Sequence, residues 1–263
     1  MDLQLSGKRA LVLASSRGLG AGIAETLAAE GAHVMVTGRD EARLAALCAR
    51  LNALGTGGTA TFTRVDMAES TAVETLARAV DNAFGGLDIL VNNSGGPAGG
   101  PISAIGAEQW LASFTVMVER IVSLTNAVLP GMRARKWGRI LTLASSGVEQ
   151  PIANLGLSNA LRSTLVGWSK TLAGEVAGDG VTANILIPGR IHTQRIDELD
   201  AAAAARTGTT AEAVAATSRA SIPSGRYGRV EEFAATAAFL VSGPASYITG
   251  ARIRCDGGYI KSI

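Results

Sequence analysis

The chain has 263 residues, the size of one large α/β domain and enough to bury a sizeable core. Hydrophobic residues make up 47% and charged residues 17%, which excludes a disordered chain. The net charge is +2 with no basic run, so nothing asks for nucleic acid or an acidic membrane surface.

Two cysteines, Cys48 and Cys255, provide neither a disulfide framework nor a zinc pattern, and no metal site is expected. Met1 to Lys8 lack the apolar stretch of a signal peptide. The longest apolar runs break at Gly or charge well short of about 18 residues. A cytoplasmic protein without a membrane segment is the expectation. Glycine is the outlier at 32 residues, against a usual share of about 7%. That excess directs attention to tight turns and close backbone approaches.

In chain order, the spacing predicts strands over Arg9–Ala14, His33–Thr37, Ala60–Val65, Leu87–Val91, Gly138–Leu143, Val181–Ile187 and Ala251–Cys255. Segments of helical period lie between them, among them Leu19–Glu30, Asp40–Leu54 and Ser70–Phe84. The strands are apolar throughout rather than alternating, which suits a parallel sheet covered on both faces. Repeated β-α-β units with right-handed crossovers then give a doubly wound α/β sheet. No composition break divides the chain, so residues 1–263 are expected to form a single domain.

Two stretches depart from short loops. Asn92–Pro101, reading NNSGGPAGGP, is neither helix nor central strand, and a long excursion runs over about 189–224. Both follow strands, where open α/β sheets bind ligands, so both are candidate walls or lids. The alanine run Ala201–Ala205 within the excursion reads as a surface helix.

The first predicted strand ends in Leu13-Ala14-Ser15-Ser16-Arg17-Gly18-Leu19-Gly20, with a helix after it. Such a turn lets backbone N–H groups approach a pyrophosphate at a helix start. Asp66 follows the third strand, Asn92-Asn93-Ser94-Gly95 the fourth, Pro188-Gly189 the sixth, and Asp256-Gly257-Gly258 comes near the end. In this order the set resembles the short-chain dehydrogenase/reductase family, from about Leu5 to Tyr259. One departure is Ala14, where the family's opening motif has its first glycine. The resemblance implies a seven-stranded, Rossmann-type sheet with helices on both faces, and a homotetramer or homodimer. It implies cofactor contacts from Ser16, Arg17, Gly18, Leu19, Gly20, Asp66, Met67, Asn92, Ser94 and Gly95, and later from Pro188, Gly189, Ile191 and Thr193.

Electrostatics select the nicotinamide. NAD sites place a carboxylate at the end of the second strand, but here that end reads Val36-Thr37-Gly38-Arg39. Arg39 and Arg17 together suit a 2′-phosphate, so NADP(H) is the expected cofactor. Asp40 is expected to cap the next helix rather than contact ribose.

The family's catalytic set of Asn, Ser, Tyr and Lys is mostly replaced. Ser145 matches the family serine, but the Tyr and Lys positions fall on Ser158 and Arg162, and the Asn position, counted from Trp110, falls on Met117. The three tyrosines, Tyr227, Tyr247 and Tyr259, lie in the C-terminal part, none in a Y-x-x-x-K. Ser158 and Arg162 share a helix face. Arg162 can hold ribose hydroxyls and stabilise an oxyanion, but a guanidinium stays protonated and cannot shuttle a proton.

Three readings stay open. The first is an NADP-dependent oxidoreductase using Ser145, Ser158 and Arg162, acting on a small carbonyl, or on a conjugated carbonyl including an acyl thioester, as 3-oxoacyl-carrier-protein reductases do on carbonyls. The second is a catalytically silent NADP-binding or sensory protein. The third is a non-redox isomerase or lyase on the same scaffold. Other ionisable groups are His192, as substitute acid or exposed loop residue, and Glu149, as orienting group or helix cap. Glu119 and Met117 read as structural. Gln194, Arg195 and Arg206 are candidate polar contacts of a lid, with Arg195 facing a substrate carboxylate or phosphopantetheine.

Overall fold

The computed structural model describes residues 1–263. Seven parallel strands form one sheet in the order β3-β2-β1-β4-β5-β6-β7. They are β1 Arg9–Val12, β2 His33–Gly38, β3 Ala60–Arg64, β4 Ile89–Asn92, β5 Gly138–Leu143, β6 Val181–Pro188 and β7 Arg252–Cys255. The doubly wound sheet expected from the sequence is therefore present.

Side chains alternate along the central strands, and each face has its own core. Ala10, Val12, Val34 and Val36 pack with helices α1 (Gly18–Ala29), α2 (Glu41–Asn52) and α9 (Val230–Leu240). Leu11, Leu13, Met35 and Leu90 face α3 (Ala72–Phe84), α5 (Arg120–Ala134) and α6 (Gly156–Val176). With both faces covered, the strands have no polar side to show, which is why they read as unbroken apolar runs. Asp40 caps α2, its carboxylate accepting from the Arg43 N–H at 3.1 Å, as expected.

Boundaries shift for local reasons. The first strand stops at Val12, because Ala14 turns the chain with φ +47°. The helix α4 (Ala107–Phe114) runs into α5 through a π-helical turn over Thr115–Glu119. The continuous run Ala107–Ala134 is long and apolar enough to cross a membrane by length and composition alone, a test that the core helix of a soluble protein also passes. The sequence had suggested no such segment, because Glu119 and Arg120 interrupt the apolar run. The excursion carries α7 (Gln194–Thr207), which includes the alanine run, and α8 (Ala211–Ala220).

The order β3-β2-β1-β4 means that β1 sends its crossover to one side and β4 to the other. A crevice opens at the carboxyl ends of these two strands. At their opposite ends sits a buried ion cluster. Arg9 Nε donates to Asp88 at 2.8 Å, and Arg135 lies 3.3 Å from the same carboxylate. Burial pushes the Asp88 pKa up, but the bonds and charge from Arg9, with Arg135 behind them, outweigh it and hold the carboxyl below its ordinary range.

A depressed folded-state pKa contributes stability above the unfolded value and loses it as pH falls through the folded one. Asp88→Asn is expected to cost about 1.5–3 kcal/mol at pH 7. That gap from wild type should narrow below roughly pH 4. Urea denaturation at neutral and acid pH measures both, and a gap of equal size at the two would contradict the assignment.

Candidate active site

The glycine turn between β1 and α1 forms the floor of the crevice. A Cβ added at Gly20 would lie 2.7 Å from the Ala14 carbonyl, so the turn closes this tightly only around glycine. Asn93 Nδ2 donates to the Ala14 carbonyl at 3.2 Å and ties the turn to the end of β4. Asn92, an expected cofactor contact, turns its side chain into the sheet instead. Asn92 is fully buried, its amide donating to Thr125 and Thr142 inside the sheet. Strand alternation was the available signal: Asn92 continues β4 into the core, and the next residue points the other way.

Ser16 lies against Gly38, 3.3 Å from where a Cβ would stand. This packs the first turn, with Arg17, against the end of β2, with Arg39. Each of these arginines already has a carboxylate. Arg17 Nη1 lies 3.3 Å from Glu198, and Arg39 Nη1 lies 3.8 Å from Asp66. The Arg39 side chain is 78% exposed, so its pair is weak. Asp66 also accepts from the Ala68 N–H at 3.0 Å, and Met67 packs against the core beneath.

The Ser145 hydroxyl sits just after β5 and accepts from the Gly147 N–H at 3.1 Å. Ser158 and Arg162 lie on α6, both buried. Arg162 Nη1 donates to the Leu143 carbonyl at 3.0 Å and Nη2 to the Ser94 carbonyl at 3.1 Å. One guanidinium thus bridges the ends of β5 and β4. Arg162 is only 8% exposed. Burial, and then the charge of Arg195, pushes its pKa down to about 10, so it stays protonated at pH 7. Ser94 Oγ, beside this bridge, is buried without a hydrogen-bond partner.

Met117 occupies the π turn and packs with Leu157, Leu161 and Leu165 of α6. A π turn inside a helix often marks a functional site, and nothing in the residue pattern announced it. Glu119 accepts from Ser123 and Arg120, a structural role.

The other ionisable candidates are placed elsewhere. Glu149 caps the short helix Ser146–Val148 through its backbone N–H, which donates to the Ser146 carbonyl at 3.1 Å, and its buried carboxylate pairs with Arg254 and, at 3.7 Å, Arg252 of β7. His192 is exposed and lies 3.3 Å from Asp197. Arg206 and Gln194 are exposed on α7.

Beyond β6, Gly189 permits a contact that no side chain would allow: a Cβ there would lie 2.5 Å from Asp256 Cα. Pro188 ends the strand, Ile191 is buried, and the Thr193 methyl reaches within 3.8 Å of the Cβ position of Gly18. The start of α7 therefore covers the glycine turn. Gly95 faces open space.

With this geometry in hand, the relatives can be placed. Residues 13–260 match the family model described as Enoyl-(Acyl carrier protein) reductase. The chain is 35% identical to the D-beta-hydroxybutyrate dehydrogenase of Cupriavidus necator over 257 residues, covering 97% of this chain and 99% of that one. It is 34% identical to the 3-oxoacyl-[acyl-carrier-protein] reductase FabG of Escherichia coli over 258 residues, covering 97% and 98%. The crystal structure of L-sorbose reductase from Gluconobacter frateurii, complexed with NADPH and L-sorbose, superposes with a TM-score of 0.94 at 33% identity, both chains covered in full. The chain belongs to the short-chain dehydrogenase/reductase family, an oxidoreductase family, as the motifs had suggested.

Ala14 pays for its left-handed conformation, about 1–2 kcal/mol for a residue with a Cβ. Part of the relief from Ala14→Gly is offset by unfolded-state entropy of about 0.4–1 kcal/mol. The expected net effect is about 0.5–1 kcal/mol of added stability, read from denaturant midpoints. A destabilised variant would show that the Ala14 methyl packs favourably.

Proposed function

We propose that this protein is an NADP(H)-dependent reductase of small carbonyl or conjugated-carbonyl substrates, acyl thioesters among them, working with an altered catalytic set. One observation carries the reading: the protonated Arg162 guanidinium is fixed by two backbone carbonyls at the ends of β4 and β5. It occupies the position where the family's lysine stands, and Ser158 stands one helical turn before it.

The chain fits the cofactor. The turn at Gly18, Leu19 and Gly20 offers unpaired N–H groups at the start of α1. Gly95 leaves room beside β4, and the orphaned Ser94 Oγ is a polar group without a protein partner. Ser16, Arg17 and Arg39 would take the 2′-phosphate, with Asp66 and Met67 at the adenine. Asn92 and Asn93 hold the floor in place. Pro188, Gly189, Ile191 and Thr193 would flank the nicotinamide, and Arg162 would hold its ribose.

When bound, NADPH supplies the hydride. Arg162 has five N–H groups, and two serve Leu143 and Ser94. The others can stabilise negative charge developing on the substrate oxygen. Ser145 and Ser158 would hydrogen-bond the same oxygen and relay a solvent proton to it. Without a phenol, the general-acid contribution of about 10²–10⁴-fold is reduced. A conjugate reduction suffers less, because its enolate oxygen needs hydrogen-bond donors first and a proton later.

The silent NADP-binding reading draws on Met117, whose apolar packing occupies the family's asparagine position. The single unit over 1–263, its excursion closing over substrate, and a cytoplasmic site of action belong to the same proposal. So does association into a dimer or tetramer, in which the exposed Leu111 and Phe114 of α4 would be buried by a second copy.

Arg162→Ala is expected to abolish turnover and weaken NADPH binding, whereas Ser158→Ala should cut kcat about 10-fold or more with binding retained. Steady-state kinetics with fluorescence titration of each variant provide the check. Wild-type turnover in both variants would overturn the assignment.

A further inference from the structure

Glu198 lies on α7, and its two carboxylate oxygens serve two different arginines. Arg17 Nη1 lies 3.3 Å from Oε1, and Arg195 Nη1 lies 3.6 Å from Oε2. Arg17 belongs to the glycine turn. Arg195 reaches the loop after β4, where its Nη2 is 3.7 Å from the Cβ position of Gly96. One carboxylate therefore links the helix over the crevice to the phosphate corner and, through Arg195, to the opposite wall.

The second attachment of α7 is of another kind. Asp200 is buried, accepting from Arg190 at 2.9 Å and from the Tyr227 hydroxyl at 2.7 Å. This attachment stays within the segment after β6 and never touches the glycine turn. The Arg17–Glu198 pair is half exposed, so it is the weaker of the two and the one a solute can reach.

We propose that Glu198 is a positioning residue that competes with a ribose 2′-phosphate for Arg17, so that phosphate binding unties α7 from the glycine turn. The proposal rests on the NADP reading above and extends it to the covering helix. A phosphate monoester carries about −1.5 to −2 charges and accepts two parallel guanidinium bonds, so it outcompetes one carboxylate. Once seated, it repels Glu198. A nucleotide with a free 2′-hydroxyl brings no charge to that corner and leaves the pair intact. Phosphate recognition and the position of the helix thereby become one equilibrium.

The test uses adenosine 2′,5′-bisphosphate and AMP with the full chain, by calorimetry and by amide hydrogen exchange over residues 194–207. Glu198→Gln is expected to bind the bisphosphate about two- to fivefold tighter than wild type, with AMP unchanged and the difference shrinking at high salt. In wild type the bisphosphate should speed exchange across α7 and AMP should not. In Glu198→Gln, and equally in Arg17→Gln, exchange should already be fast without ligand.

Equal bisphosphate affinity in wild type and Glu198→Gln would overturn the proposal. So would α7 exchange that stays unmoved while the bisphosphate binds. If wild type binds neither the bisphosphate nor NADPH, the NADP reading itself falls, and this inference with it.

Discussion

Strand order is the constraint on which the rest depends. Because β1 pairs with both β2 and β4, the chain leaves the centre of the sheet in opposite directions and cannot cover the carboxyl ends of β1 and β4. Every group in the candidate site is placed by that gap. The glycine turn closes β1, the Asn93–Gly95 loop closes β4, and Ser145 follows β5. Arg162 then fastens the β4 and β5 ends together from α6, through the Leu143 and Ser94 carbonyls.

Arg162 differs from a lysine in ways that matter here. A lysine is a flexible point charge, whereas a guanidinium is a rigid planar fork. Bonded to the Leu143 and Ser94 carbonyls, it is held in one orientation, and in the proposed reading its remaining N–H groups meet the substrate oxygen without reorganisation cost. Burial weakens its proton affinity but leaves the charge in place at neutral pH. In the proposed reading, where no phenol titrates at the site, fixed electrostatics take over work that proton donation would do.

The frame was legible in the sequence because it rests on local rules. Strands buried on both faces read as apolar runs, and Asp40 announced a helix start. Details set by distant partners were not legible. The bonds of Asn92 to Thr125 and Thr142, and of Glu149 to Arg252 and Arg254, join residues far apart in the chain. The same holds for the carboxylates beside Arg17 and Arg39, which the pattern of arginines alone presented as free. The π turn left no trace, because Thr-Val-Met-Val-Glu is compatible with an ordinary helix.

The central claim is that the chain still transfers a hydride without the phenol. Its most direct measurement is single-turnover oxidation of bound NADPH, followed at 340 nm (the dihydronicotinamide band) with ketones, 3-oxoacyl thioesters and conjugated enones offered in turn. The account predicts tight NADPH binding and oxidation by at least one of these classes, lost in Arg162→Ala. Tight binding with no oxidation by any acceptor would contradict it and leave a nucleotide-binding protein in its place.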